Sequence, residues 1–192
     1  MSISTAKRFT TSEYHRLTEL GFFAENDHVE LIRGEIIEMA AKGTPHSVCN
    51  TRLNRELFTL IVGKATLRGQ EPIIISDISE PEPDLVIVQN RSDDYLREHP
   101  SPSDVILLIE ISDSSLKYDQ ETKLSIYAEA GIPDYWIFNL VDNFLECYSA
   151  PYQSSQGQFG YRRKLIFLPN ELVNLPYFND LVLDLSKVFP CV

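Results

Sequence analysis

Two acidic residues, Asp84 and Glu110, lie in the two most apolar stretches of the sequence. Asp84 opens the run DLVIV, and Glu110 lies near the end of VILLIEIS. If these runs pair as neighbouring antiparallel strands, both carboxylates meet at one edge of a sheet. Close carboxylates favour a cation between them, and Mg²⁺ or Mn²⁺ would accept both, with water and the carbonyl of Ile111 as further ligands. The alternative interpretation is two solvated acids at strand ends.

Lys123 is a candidate for a positive group near these acids. It lies in a predicted helix beside the apolar residues Leu124, Tyr127 and Ala128, so its ammonium can reach back over the strand end. The alternative interpretation is a surface ion pair with Asp119, which lies four residues earlier in the orientation that favours such pairs in helices.

Hydrophobic periodicity and turn residues predict the elements that would position these side chains. A hairpin is expected where HVELI and EIIEM flank Arg33 and Gly34, and a long helix where Thr44 acts as N-cap before Pro45. Further helices are predicted over 11–20 and 119–130, and strands over 72–76, 84–89, 104–112, DYWIFNL, FLECYS and YRRKLIFL. The fold class is therefore α/β, with a central mixed β-sheet flanked by helices and an N-terminal hairpin.

Length and composition limit the classes of protein that fit. A chain of 192 residues without repeats or a linker-like segment predicts one domain over 1–192. Its three cysteines form no C-x-x-C pair, which argues against a disulfide framework or a zinc knuckle. The sequence shows no signal peptide, and its longest apolar run, VILLI, is too short to cross a bilayer. We expect a cytoplasmic protein that does not enter membranes.

The net charge of −11 argues against tight binding to a polymer of phosphates. Basic groups are nevertheless concentrated between residues 46 and 70 and at residues 162–164. His46 lies in the first turn of the long helix, where it can donate to a phosphate or to a bound water, or can be an ordinary surface residue.

Several motifs in a fixed order resemble the Uma2 (Uma-two) family, a group of PD-(D/E)XK endonuclease-like proteins abundant in cyanobacteria. They are HVELIRGEIIEM followed by His46, the P-D pair before the strand DLVIV, the segment EISDSS, the D-x-x-x-K spacing of Asp119 and Lys123, and YAEAGIPDYW. The resemblance extends from about residue 10 to about residue 189 and implies a restriction endonuclease-like core.

The resemblance also implies roles for individual residues. Asp84 would be the acid of the P-D motif and Glu110 the acid of the E-x-K motif, but Ser112 stands where that motif has its lysine. The missing positive group would come from the next helix, which indicates Lys123, with Lys117 as a weaker candidate. Glu30 would be the early acid of the site and an outer ligand through water.

The position of Glu30 follows from the expected hairpin. If Arg33 and Gly34 form a two-residue turn, Glu30 lies opposite Ile37 and on the same face as Ile32. The alternative interpretation of Glu30 is an exposed strand acid.

The function that the resemblance implies is that of a metal-dependent endonuclease hydrolysing phosphodiester bonds of DNA. Asp84, Glu110 and Ile111 would hold Mg²⁺ or Mn²⁺, while His46, Arg52 and Arg55 would contact the substrate. We expect weak, salt-sensitive DNA binding, improved if a homodimer joins two clefts over one duplex. The alternatives are a nuclease-fold binding module with little or no turnover and a hydrolase of small nucleotides.

Overall fold

The computed structural model describes residues 5–24, 26–178 and 180–190. A six-stranded sheet forms the centre, in the strand order β3-β4-β5-β6-β7-β8. Strands β5 and β6 pair in parallel and the other neighbours pair antiparallel, so the expected mixed sheet is confirmed. The strands are β3 Thr66–Gly69, β4 Leu85–Val88, β5 Val105–Ser112, β6 Asp134–Asn139, β7 Phe144–Gln153 and β8 Phe159–Phe167.

Helices flank the sheet on both sides. They are α1 Thr11–Glu19, α2 Thr44–Ile61, α3 Leu116–Tyr118 and α4 Leu124–Glu129, with a π-helical turn over Asp119–Lys123 between the last two. Short 3-10 turns cover Pro102–Asp104 and Leu185–Lys187. Among the described residues, no helix combines the length and apolar character that a bilayer crossing needs.

Packing on both faces explains why β4 and β5 read as continuous apolar runs. Residues Cys49, Leu53 and Leu57 of α2 pack in one core cluster with Leu85 and Ile109. On the opposite face, Ile126 and Tyr127 of α4 pack in a second cluster with Val86 of β4, Leu108 of β5 and Ile137 of β6. All eight residues of β5 are buried, so the site at its end lies deep between two layers of helices.

The N-terminal hairpin forms as expected from β1 Val29–Ile32 and β2 Glu35–Glu38, and Glu30 lies opposite Ile37. Arg33 and Gly34 have φ values of 50° and 77°, which are typical of a type I′ turn. A further two-stranded sheet joins β9 Leu172–Asn174 to β10 Val182–Asp184.

Backbone hydrogen bonds hold the hairpin against the segment that leads into β4. The N–H of Glu80 donates to the carbonyl of Leu31 at 2.7 Å, and the N–H of Gly34 donates to that of Ile78 at 2.7 Å. Gly34 also lies close to the chain before α1, since a Cβ there would be 2.7 Å from the Cβ of Arg8. These contacts bring Glu30 to the sheet edge where β4 begins.

The prediction of a strand over 72–76 was wrong. The strand that pairs with β4 at this edge of the sheet is β3. The backbone of Ile73 donates to the carbonyl of Pro81 and that of Ile74 to Pro100, so this segment bonds to loops instead of forming a ladder. Its apolar residues still pack inside, because Ile73 is fully buried. The apolar run over 72–76 therefore indicated burial correctly, but a buried segment does not have to pair with a neighbouring strand.

Two helix boundaries also differ from the prediction. The N-cap of α2 is Gly43 instead of Thr44, which begins the helix itself. The helical run after β5 begins at Leu116, three residues before the predicted start. Its π-helical turn widens the backbone just where Asp119 and Lys123 lie.

Candidate active site

Asp84 and Glu110 lie side by side where β4 begins and β5 ends. The antiparallel register pairs Leu85 with Ile109. The backbone N–H of Asp84 donates to Oε2 of Glu110 at 3.2 Å, and the N–H of Ile111 donates to Oδ2 of Asp84 at 2.9 Å. Both acidic side chains are buried. The alternative interpretation, two solvated acids at strand ends, is therefore wrong.

Lys123 lies between two acids from different parts of the chain. Its Nζ is 2.9 Å from Oε1 of Glu110 and 3.3 Å from Oε2 of Glu30. The hydroxyl of Tyr127 donates to the same oxygen of Glu110 at 2.9 Å. All of these groups are largely buried, so the ammonium compensates carboxylates that have little contact with bulk water.

Asp119 has its own partners. Its Oδ2 accepts hydrogen bonds from the hydroxyls of Ser112 at 2.7 Å and Ser115 at 2.6 Å. The surface ion pair with Lys123 is therefore replaced by a buried arrangement in which each residue faces different groups. Ser112, which stands at the position of the motif lysine, anchors the helical turn that supplies Lys123.

A histidine and a lysine surround Asp84. Nε2 of His46 is 3.0 Å from Oδ2 of Asp84, and Nζ of Lys42 is 3.3 Å from Oδ1. Because an ionised carboxylate only accepts hydrogen bonds, Nε2 of His46 carries a proton. Its Nδ1 is buried with no hydrogen-bond partner among the described residues.

Burial and charge pull the pKa values of the two acids in opposite directions. Burial acts to raise the pKa of Asp84, but the hydrogen bond and charge of His46, the N–H of Ile111 and Lys42 outweigh it and lower that pKa. Burial raises the pKa of Glu110 to about 8, although the ammonium of Lys123 acts against this rise. The ionisation of Glu110 is therefore the pH-sensitive one.

Lys123 stays charged in this environment. Burial acts to lower its pKa, but the charges of Glu110, Glu30 and Asp119 outweigh burial and raise that pKa well above its ordinary value. Lys123 is thus a hydrogen-bond donor and a cation, and it is a poor proton acceptor.

A cavity of about 280 Å³ opens onto these groups. Its lining includes Glu30, Lys42, His46, Glu82, Asp84, Glu110, Asp113, Tyr118 and Lys123. Arg52, Arg55 and Lys117 are not part of the lining. Arg52 donates to the carbonyl of Phe189 at 2.6 Å, and Arg55 lies beside Glu56.

Residues 11–186 match the model of the Uma2 family, which is described as a putative restriction endonuclease family. The chain belongs to the Uma2 family. It is also similar to the crystal structure of a putative nuclease belonging to DUF820 from Anabaena variabilis, with a TM-score of 0.66 and 16% identity over 94% of this chain and 97% of that one. The fold of this Uma2 chain is thereby confirmed as restriction endonuclease-like. Among curated proteins, no sequence matches it.

The donor atoms of this Uma2 site determine which metal they fit. Among the described residues, no group of three or more His, Cys, Asp or Glu side chains forms a metal-ligand cluster. Asp84 and Glu110 offer two carboxylates, and the carbonyl of Ile111 faces the side of the strand on which its N–H contacts Asp84. Two carboxylates and one carbonyl fit Mg²⁺ or Mn²⁺ with several waters, whereas they do not fit a structural zinc site.

Sequence reasoning missed two residues of the site. Tyr127 was assigned to the apolar face of its helix, but it lies one turn after Lys123 and both donate to Glu110. That spacing was a usable signal. Lys42 lies in the loop between β2 and α2, where no periodicity reports the direction of a side chain.

Proposed function

We propose that this Uma2 protein is a metal-dependent endonuclease that hydrolyses phosphodiester bonds of DNA. The observation that supports this proposal is that Asp84, Glu110 and Lys123 line one open cavity. Membership of a family described as restriction endonucleases agrees with it. Asp84, Glu110 and the carbonyl of Ile111 would hold Mg²⁺ or Mn²⁺. When bound, such an ion would polarise the scissile phosphate and lower the pKa of a bound water.

The residues of the chain supply positioning and positive charge. Lys123 donates toward the cavity as a permanent cation, so it stabilises negative charge that develops on the phosphate or orients the attacking water. Glu30 contacts Lys123 directly, and we therefore assign it to holding this ammonium instead of to water-mediated metal ligation. His46 fixes the carboxylate of Asp84 from the first turn of α2.

Binding of DNA must overcome the net charge of −11. Arg55 is exposed and paired with the neighbouring Glu56, whereas Arg52 is partly buried and donates to the carbonyl of Phe189. We therefore assign the larger contribution to the more accessible Arg55. Few phosphate contacts mean modest affinity, and because those contacts are electrostatic, added salt weakens the binding further. A homodimer would present two cavities to one duplex and increase the number of such contacts.

The direct test is cleavage of linear and supercoiled duplex DNA in the presence of Mg²⁺ or Mn²⁺. We expect the wild type to cleave and Asp84→Asn to lose about a thousandfold in rate, since the substitution removes a charged ligand. Asp180→Asn is the matched control, because Asp180 is exposed and pairs with Lys64 away from the site. Equal cleavage by the wild type and Asp84→Asn would contradict the proposal.

A hydrolase of small nucleotides is the second candidate, favoured by the limited size of the cavity and by the acidic chain. A competition experiment distinguishes the endonuclease from the small-nucleotide hydrolase. Inhibition of DNA cleavage by dinucleotides at micromolar concentration would favour the smaller substrate. If Mn²⁺ raises the melting temperature but neither substrate is cleaved, the protein is a binding module with a nuclease fold.

A further inference from the structure

The two acids at the sheet edge are each paired with a lysine, but the two lysines are held in different ways. Lys123 is enclosed, with a side chain that is 6% exposed, and it contacts two carboxylates. The side chain of Lys42 is 34% exposed, and within the described part of the chain its one ion pair is with Asp84, at 3.3 Å. Lys42 is thus the accessible cation of the site, at the mouth of the cavity.

The oxygens of Asp84 are not equivalent. Oδ2 accepts from the backbone of Ile111 in β5 and faces His46 in the first turn of α2, so both of these partners belong to regular secondary structure. Oδ1 has the ammonium of Lys42 as its neighbour. Oδ1 is therefore the oxygen whose partner a single side-chain movement can remove.

The loop that carries Lys42 has little to hold it in place. Lys42 is preceded by Ala40 and Ala41 and followed by Gly43, the N-cap of α2. The backbone N–H groups of residues 40–42 donate no hydrogen bond within the described part of the chain. Rotation of the Lys42 side chain, or a shift of this loop, breaks no backbone hydrogen bond.

We propose that Lys42 is an exchangeable counter-ion of Asp84, which neutralises this acid in the metal-free protein and withdraws when a divalent ion binds there. The inference rests on the proposed metal site, although it does not require DNA cleavage. A divalent ion and an ammonium repel each other at such short range, so both cannot contact the same carboxylate oxygen favourably. Metal binding must then include the free energy needed to displace Lys42.

The test is the affinity for Mn²⁺, measured by calorimetry without DNA. We expect Lys42→Met to bind Mn²⁺ about fivefold more tightly than the wild type, because a partly exposed ion pair of this kind is worth about 1 kcal/mol. The metal-free melting temperature should fall in Lys42→Met while the metal-saturated one stays the same. The rise on adding Mn²⁺ is therefore larger in the variant.

Two controls separate displacement from a general change of charge. Lys42→Arg keeps the cation and should remain within about twofold of the wild-type affinity. Lys64→Met removes the same charge from an exposed pair with Asp180, outside the cavity, and should leave the affinity unchanged. A similar gain in Lys64→Met would overturn the counter-ion role.

The outcomes also distinguish this inference from the proposed function. Unchanged or weaker Mn²⁺ binding in Lys42→Met, with normal binding by the wild type, overturns the counter-ion role and leaves the nuclease proposal intact. Tighter binding in the variant without DNA cleavage by either protein supports the counter-ion role and contradicts the nuclease. Absence of Mn²⁺ binding in both proteins at millimolar concentration overturns both.

Discussion

The ammonium of Lys123 lies 2.9 Å from a carboxylate oxygen of Glu110, and both side chains are almost completely buried. Glu30, from the hairpin, shares the same ammonium at 3.3 Å. One lysine therefore compensates two acids from separate elements. This arrangement predicts that Lys123 stabilises the fold, and that effect can be separated from the catalytic role proposed for it.

Loss of Lys123 should destabilise the fold. Lys123→Met leaves the carboxylate of Glu30 buried without its cation and removes a hydrogen-bond donor from Glu110, which should lower the free energy of unfolding by about 3–5 kcal/mol. The double variant Lys123→Met with Glu30→Gln removes this uncompensated charge and should recover part of the lost stability. Urea denaturation of both variants measures the difference.

Turnover gives the complementary readout for the same pair of variants. If Lys123 acts on the developing charge, the double variant regains stability but not DNA cleavage. Recovery of cleavage together with stability would show that Lys123 has only a structural role.

Metal affinity should increase with pH because of Glu110. Its pKa is raised from 4.5 to about 8 by burial, so the metal-free fold becomes less stable as pH rises through this range. A bound divalent ion favours the ionised carboxylate and releases its proton, so affinity should rise by up to about tenfold per pH unit in the same range. Calorimetry at pH 6, 7 and 8 in buffers of different ionisation enthalpy measures the released proton. Metal binding without proton release or pH dependence would show that Glu110 is already ionised.

His46 and Asp84 should be energetically coupled. The pKa of Asp84 is lowered below 3.8 by His46 and other partners in spite of burial, so the stabilisation is present above that pH and is lost as pH falls. We expect His46→Ala to cost about 1 to 2 kcal/mol of unfolding free energy at neutral pH, and clearly less in an Asp84→Asn background. A double-mutant cycle by chemical denaturation gives the coupling energy. Additive effects would mean that the 3.0 Å contact contributes no net stability.

Asp134 offers a stability prediction away from the site. It opens β6, and burial raises its pKa from 3.8 to about 6, so its contribution destabilises the fold progressively as pH rises through this range. Asp134→Asn should therefore stabilise the protein by about 1 kcal/mol at neutral pH, a value reduced to allow for the remaining exposure of the side chain. Near pH 3.5 the substitution should have almost no effect. Urea denaturation at both pH values, with Asp180→Asn as an exposed control, tests this sign.

Local pattern was sufficient for much of this fold. The continuous apolar runs of β4 and β5 are typical of strands covered on both faces, because a half-exposed strand alternates polar and apolar residues. The two-residue turn at Arg33 and Gly34 predicted that Glu30 lies opposite Ile37, since turn length determines hairpin register. The segment over 72–76 failed, because an apolar pattern reports burial and does not choose the hydrogen-bond partner.

The sequence by itself determined the class of fold, the strands that carry Asp84 and Glu110, and the turn that sets the register of Glu30. Only the tertiary structure decided that Lys123 joins Glu30 to Glu110, that Asp119 faces two serines, and that Lys42 reaches Asp84. The physical reason is the separation along the sequence of the residues that interact. Strand and turn preferences arise between near neighbours in the chain, whereas the direction of a long lysine side chain depends on which distant carboxylates packing brings within about 4 Å of it.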